Sequence, residues 1–118
     1  MYQKVERRVL KRFQIAGAKV SYKIAGRSAN NVNLIDISKN SVRFEVYSEL
    51  ENGDFMEIEM DIPKKEKILI KGHIVWTSKP DYNVPGYAVL KFTPDGTGKH
   101  DNSAASLEQV SDILDELL

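Results

Sequence analysis

Apolar and polar side chains alternate along most of this chain with a period of two. In "AKVSYKIAG", Ala18, Val20, Tyr22 and Ile24 fall on one face and Lys19, Ser21 and Lys23 on the other. That is the pattern of a strand with one buried face. "NVNLIDIS" and "SVRFEVY" follow, the second setting Val42, Phe44 and Val46 against Arg43 and Glu45. "FMEIEMDI" opposes Met56, Ile58, Met60 and Ile62 to Glu57, Glu59 and Asp61. "KILIKGHIVWTS" predicts a longer strand with a bend or bulge at Gly72, and "GYAVLKF" predicts a sixth. Trp76 lies inside an apolar strand and is expected to pack in the core.

Turn residues separate these segments. Asn52-Gly53 in "ENGD" is a hairpin signal, because both residues tolerate positive φ. "IPKKEK" and "KPDYNVPG" read as loops. Six short strands joined by turns predict an all-β barrel or sandwich, and a barrel hides its sheet edges. The C-terminal stretch changes period. In "SLEQVSDILDELL", Leu107, Val110, Ile113, Leu114, Leu117 and Leu118 recur at helical spacing, and Ser106 with Gln109 suggests a capping box. The helix is expected over 103–118, closing one mouth of the barrel; a partner-binding helix is the alternative. The organisation expected is one domain over 1–118: an arginine-bearing segment over 1–16, a barrel over 17–93 and the terminal helix.

Composition narrows the function. The chain of 118 residues balances 17 basic against 17 acidic side chains, which argues against a general nucleic-acid coat. Its aromatics mostly alternate into the expected core rather than lining a basic groove. The absence of cysteine excludes disulfides, thiolate metal sites and cysteine nucleophiles. No apolar run reaches a membrane span of about 20 residues, and "MYQKVERRVL" lacks the apolar centre of a signal peptide. A cytoplasmic protein without membrane insertion is expected. Neither an enzyme nor a cofactor is expected. Glu57 and Glu59 read as a solvated strand face, and His73 and His100 lie far apart in sequence without metal-ligand spacing. No Ser-His pair or phosphate-binding glycine loop stands out.

The charge is nevertheless uneven. Residues 1–27 carry eight basic side chains against Glu6 alone, and residues 94–118 carry six acidic ones against Lys99. "ERRVLKRF" concentrates Arg7, Arg8, Lys11 and Arg12. Guanidinium suits phosphate because its fork donates two parallel hydrogen bonds and its charge is permanent; a solvated tail is the plain alternative. "LIDISKNS" places Asp36 and Ser38 at a strand-to-strand corner. Such residues often only cap the turn. A carboxylate there could also accept both donors of guanine's N1–H and N2–H₂ edge, with a hydroxyl adding one bond more.

Arg8-Val9-Leu10-Lys11-Arg12, preceded by Glu6-Arg7, then Asp36-Ile37-Ser38 about two dozen residues on, and "GHIVWTS" over Gly72–Ser78, together resemble the PilZ domain family. The resemblance covers nearly the whole chain. It implies a six-stranded antiparallel split barrel with a C-terminal α-helix, and a receptor for the bacterial second messenger cyclic di-GMP. It further implies that Arg8 and Arg12 grip phosphates and guanine edges, that Arg7 assists, and that Asp36 and Ser38 bond a guanine. The arginine segment is implied to be a mobile element outside the barrel, so that Arg8 and Arg12 add little to stability. The output implied is regulation of motility or biofilm through a downstream effector protein. Ser41 stands in the ligand-binding motif where the family has glycine. If that corner required a left-handed residue, serine would cost on the order of 1 kcal/mol and weaken binding. A PilZ-like interaction module that does not bind nucleotide is the alternative function.

Overall fold

The computed structural model describes residues 11–24 and 26–118. Six strands appear in chain order: β1 (Lys19–Ile24), β2 (Arg27–Ile37), β3 (Ser41–Val46), β4 (Phe55–Asp61), β5 (Ile68–Thr77) and β6 (Gly86–Phe92). They close into a barrel in the order β1-β2-β3-β6-β5-β4, with every pair antiparallel. Closure leaves no long edge to pair with another chain. Of the barrel or sandwich that the alternation allowed, the barrel is observed, and it is the six-stranded antiparallel one that the PilZ resemblance implied.

Two local expectations give way to this topology. Asn52-Gly53 does not make a tight hairpin. It lies in the connection from β3 to β4, which are not neighbours; β3 lies between β2 and β6, and β4 between β1 and β5. Gly53 takes a φ of 95° and donates its N–H to the Ile74 carbonyl at 2.7 Å, guiding the chain onto β5. Gly72 sits in regular register between Met56 and Phe92, with no bulge. Glycine is required there because a Cβ would run into the Lys91 carbonyl and the Leu90 side chain.

The bulges lie elsewhere, and each reverses the parity of a strand. On β2, Leu34 pairs with Phe44 while Asp36 pairs with Arg43, so Ile35 is an extra residue. On β5, Ile74 pairs with Leu90 while Trp76 pairs with Val89, so Val75 is extra. A third irregularity, near the start of β2, places Asn31 at a φ of 58° with its N–H donated to Ser21 Oγ. Simple alternation would send Asp36 inward with Leu34, and Trp76 inward with Ile74. Instead Ile37 enters the core, and Trp76 is 48% exposed rather than packed in it.

The interior contains Val20, Val42, Phe44, Ile58, Met60, Ile68, Ile70, Ile74 and Leu90, all fully or almost fully buried. Helix α1 (Ala104–Glu116) adds Val110, Ile113 and Leu114 to this core. It covers the barrel end that carries the β2–β3 corner and the β4–β5 loop, where Lys39 pairs with Asp115 and Lys65 with Glu116. Ser103, not Ser106, is its N-cap, and its side chain accepts from the Ser106 N–H. Leu117 and Leu118 are exposed, so the apolar stripe ends at Leu114. Asn102 sets the approach by bonding the Lys71 N–H and carbonyl and the Thr93 carbonyl from a buried position.

The parity reversal on β5 has a measurable consequence. Phe44→Ala should destabilise the protein by about 3–5 kcal/mol in urea unfolding, whereas Trp76→Ala should cost about 1 kcal/mol or less. Equal losses would return Trp76 to the core.

Candidate functional site

The β2 bulge turns Asp36 to the outer surface of the barrel beside Arg43 while leaving it only 6% exposed. A carboxylate with so little water must have compensating charge or donors. Both of its oxygens have them. Arg12 Nε donates to Oδ1 at 2.7 Å, and Arg43 Nη2 donates to Oδ2 at 2.6 Å. Hydrogen bonds of this charged kind contribute about 1.5–3 kcal/mol each before solvent screening reduces the figure. Both guanidinium groups are partly exposed, so screening applies here.

Arg12 reaches this position because its neighbour is tied to the barrel. Phe13 exchanges two backbone hydrogen bonds with Ile37, at 2.8 and 2.9 Å, and packs against the core. The expectation of a freely mobile segment thus fails at Arg12, which is part of the fold. Arg7 and Arg8 lie outside the described residues.

The corner after Asp36 is a hydrogen-bonded turn in which the Ser38 N–H donates to the Ser41 carbonyl at 2.8 Å. Its side chains form a chain of bonds. Arg12 Nη1 donates to Ser41 Oγ at 2.7 Å, Ser41 Oγ lies 3.1 Å from Ser38 Oγ, and Ser38 Oγ donates to Asn40 Oδ1 at 3.0 Å. Because Ser38 gives its one hydroxyl proton to Asn40, Ser41 donates to Ser38 while accepting from Arg12. Ser38 and Ser41 are both buried. Ser41 opens β3 with an ordinary extended backbone and is absent from the residues of positive φ. The left-handed strain considered for serine at this position does not arise; its effect is the added hydroxyl, which holds Arg12.

The structure thus brings Arg12, Asp36, Ser38 and Ser41 together and adds two residues. Arg43 is directly opposite Asp36 in the ladder, and Asn40 ends the hydroxyl chain. The sequence carried one signal for Arg43: it alternates outward on β3, two residues after Ser41. Its pairing with Asp36 depends on the bulge, which alternation does not reveal.

The same register extends across the outer face. Asp36 pairs with Arg43, Arg43 with Val89, and Val89 with Trp76. Three strand spacings, about 14 Å, therefore separate the carboxylate from the half-exposed indole. At the next outward position on β3, Glu45 accepts from the Tyr47 hydroxyl at 3.0 Å, which raises that group's pKa above its ordinary value.

The two histidines, distant in sequence, are neighbours here. Their ring centroids are 6.5 Å apart and both rings pack against Phe55. Among the described residues, no three His, Cys, Asp or Glu side chains group as a metal site. No described helix is long and apolar enough to cross a membrane.

No protein-family model matches the sequence, and no curated protein matches it. Solved structures do resemble its fold. Escherichia coli YcgR, determined in complex with cyclic di-GMP, aligns with a TM-score of 0.71 at 17% identity, over 94% of this chain and 46% of that one. The Bacillus subtilis inhibitor of motility MotI/DgrA aligns with a TM-score of 0.62 at 12% identity, over 91% of this chain and 51% of that one. The chain thus spans about half the length of each neighbour. The closed six-stranded antiparallel barrel with a helix at its C-terminal end therefore has a PilZ-like fold.

Proposed function

We propose that this protein is a receptor for cyclic di-GMP, with Arg12, Asp36, Ser38 and Ser41 at the ligand site. The observation that carries the reading is the convergence of Arg12, from before the barrel, on Asp36 and Ser41 at the β2–β3 corner. A fold shared with a cyclic di-GMP-bound neighbour supports it.

The chemistry suits a cyclic dinucleotide. Each carboxylate oxygen can accept two hydrogen bonds, so Asp36 can take guanine's N1–H and N2–H₂ donors in addition to, or in exchange for, its present partners. Arg12 donates from Nε and Nη1, and the rest of its fork is available to phosphate or to a guanine edge. Arg7 and Arg8 precede it closely in sequence and would supply further cationic contacts to the phosphates. No bond need form or break, so the protein acts as a switch and not as a catalyst, and it needs no cofactor. Its output is a change in the arginine segment and the corner, read by an effector protein in the cytoplasm, with motility or biofilm control as the outcome. Ser41 makes the ligand compete for Arg12, since the hydroxyl already accepts from that guanidinium. A non-binding interaction module is the second reading, favoured by this same closed contact.

Titration with cyclic di-GMP, followed by calorimetry and by the fluorescence of Trp76, should give micromolar or tighter binding, while GTP and cyclic GMP fail to compete. Absence of heat and of any thermal shift at high ligand would leave the interaction module as the function. Arg12→Ala should weaken binding roughly ten- to hundredfold. It should also lower the stability of the ligand-free protein by about 1 kcal/mol; an unchanged melting temperature would mean that Arg12 does not hold Asp36 in solution. Affinity should fall as salt rises from 0.05 to 0.5 M, and a flat salt dependence would argue against a phosphate grip.

A further inference from the structure

We infer that Arg43, which lies outside the arginine segment and the Asp-x-Ser corner, is the residue that positions Asp36 for ligand; this rests on the receptor reading above. Two guanidinium groups hold the Asp36 carboxylate, and they are anchored very differently. Arg12 precedes the barrel and is fixed through the two Phe13–Ile37 backbone bonds. Arg43 stands inside β3, which is paired along its length with β6 on one side and with β2 on the other. Arg12 can turn towards a phosphate by giving up its bonds to Asp36 Oδ1 and Ser41 Oγ. The Arg43 backbone is fixed opposite Asp36 by the ladder, so its guanidinium stays within reach of that carboxylate.

Asp36 needs a partner at every stage. Its side chain is 9% exposed, and an ionised carboxylate left there without a cation would be strongly disfavoured. Once Arg12 engages the ligand, Arg43 is the remaining cation on that carboxylate among the described residues. Its bond to Oδ2 fixes the torsion of the group and leaves Oδ1 facing the space that Arg12 has given up. The guanine edge then meets an acceptor that is already charged and oriented, and pre-organisation of this kind limits the cost of binding. Arg43 Nε is itself buried without a hydrogen-bond partner among the described residues. The side chain thus keeps this position while leaving a polar atom unsatisfied, as fits a residue placed for Asp36.

The experiment is a calorimetric titration with cyclic di-GMP of the full chain and of Arg43→Ala, Arg43→Lys, Asp36→Ala and the Asp36→Ala/Arg43→Ala double variant, each checked for folding by its thermal transition. Arg43→Ala should weaken binding at least tenfold. Arg43→Lys, which keeps the charge but not the planar fork and is the safer variant for folding, should lose several-fold. In the Asp36→Ala background, removal of Arg43 should change affinity less than twofold, because its target is gone. Native binding with Arg43→Ala unchanged overturns this inference alone. An equal loss in both backgrounds means that Arg43 contacts ligand directly, and overturns the positioning role. Failure of the native protein to bind overturns the receptor reading and this inference with it.

Discussion

The site is organised around one nearly buried carboxylate. Asp36 is accommodated on the barrel wall because a bulge aims it outward and two guanidinium groups meet it. Much else at this corner follows from that need. Phe13 docks on Ile37 and so brings Arg12 within reach. Ser41 accepts from the same arginine, and through Ser38 and Asn40 the chain of bonds passes into the turn. The Asn40 carbonyl accepts from the Phe92 N–H at the end of β6, so the polar cluster and the barrel wall are one construction.

This arrangement suits the switch proposed above. A receptor must order something when ligand arrives, and the energy of that step has to be small enough for ligand contacts to offset it. Arg12 is held by two side-chain bonds and its neighbour by two backbone bonds, whereas Arg43 is built into the sheet. The corner also touches α1 through Lys39 and Asp115 at 3.3 Å. That pair is half-exposed and contributes little energy by itself. It does show that the corner and the terminal helix share one end of the barrel, so a change at one is presented beside the other.

The strands were legible in the sequence because alternation is a strong signal wherever one strand face is buried, while the choice of barrel over sandwich came from the family resemblance. Val20, Phe44, Ile58 and Leu90 all point inward as their positions require. Alternation fails at the bulges, since an added residue reverses parity without leaving a compositional trace at Ile35 or Val75. Asp36 and Trp76 both lie just beyond such a residue, and both face outward for that reason. The candidate site was legible only in part. The spacing of the arginines and of Asp36-Ile37-Ser38 marked the residues, but the pairing of Asp36 with Arg43 is a long-range register. Likewise His73 and His100 meet through Phe55 only because β4, β5 and the loop after β6 converge.

The most direct test of the account is to follow the arginine Nε–H signals of Arg12 and Arg43 by nuclear magnetic resonance while cyclic di-GMP is added. The account predicts that the Arg12 signal moves on saturation as its bond to Asp36 is exchanged for ligand, while the Arg43 side chain keeps its contact and shifts little. Saturable binding that leaves the Arg12 signal unchanged, or that releases Arg43 instead, would contradict it.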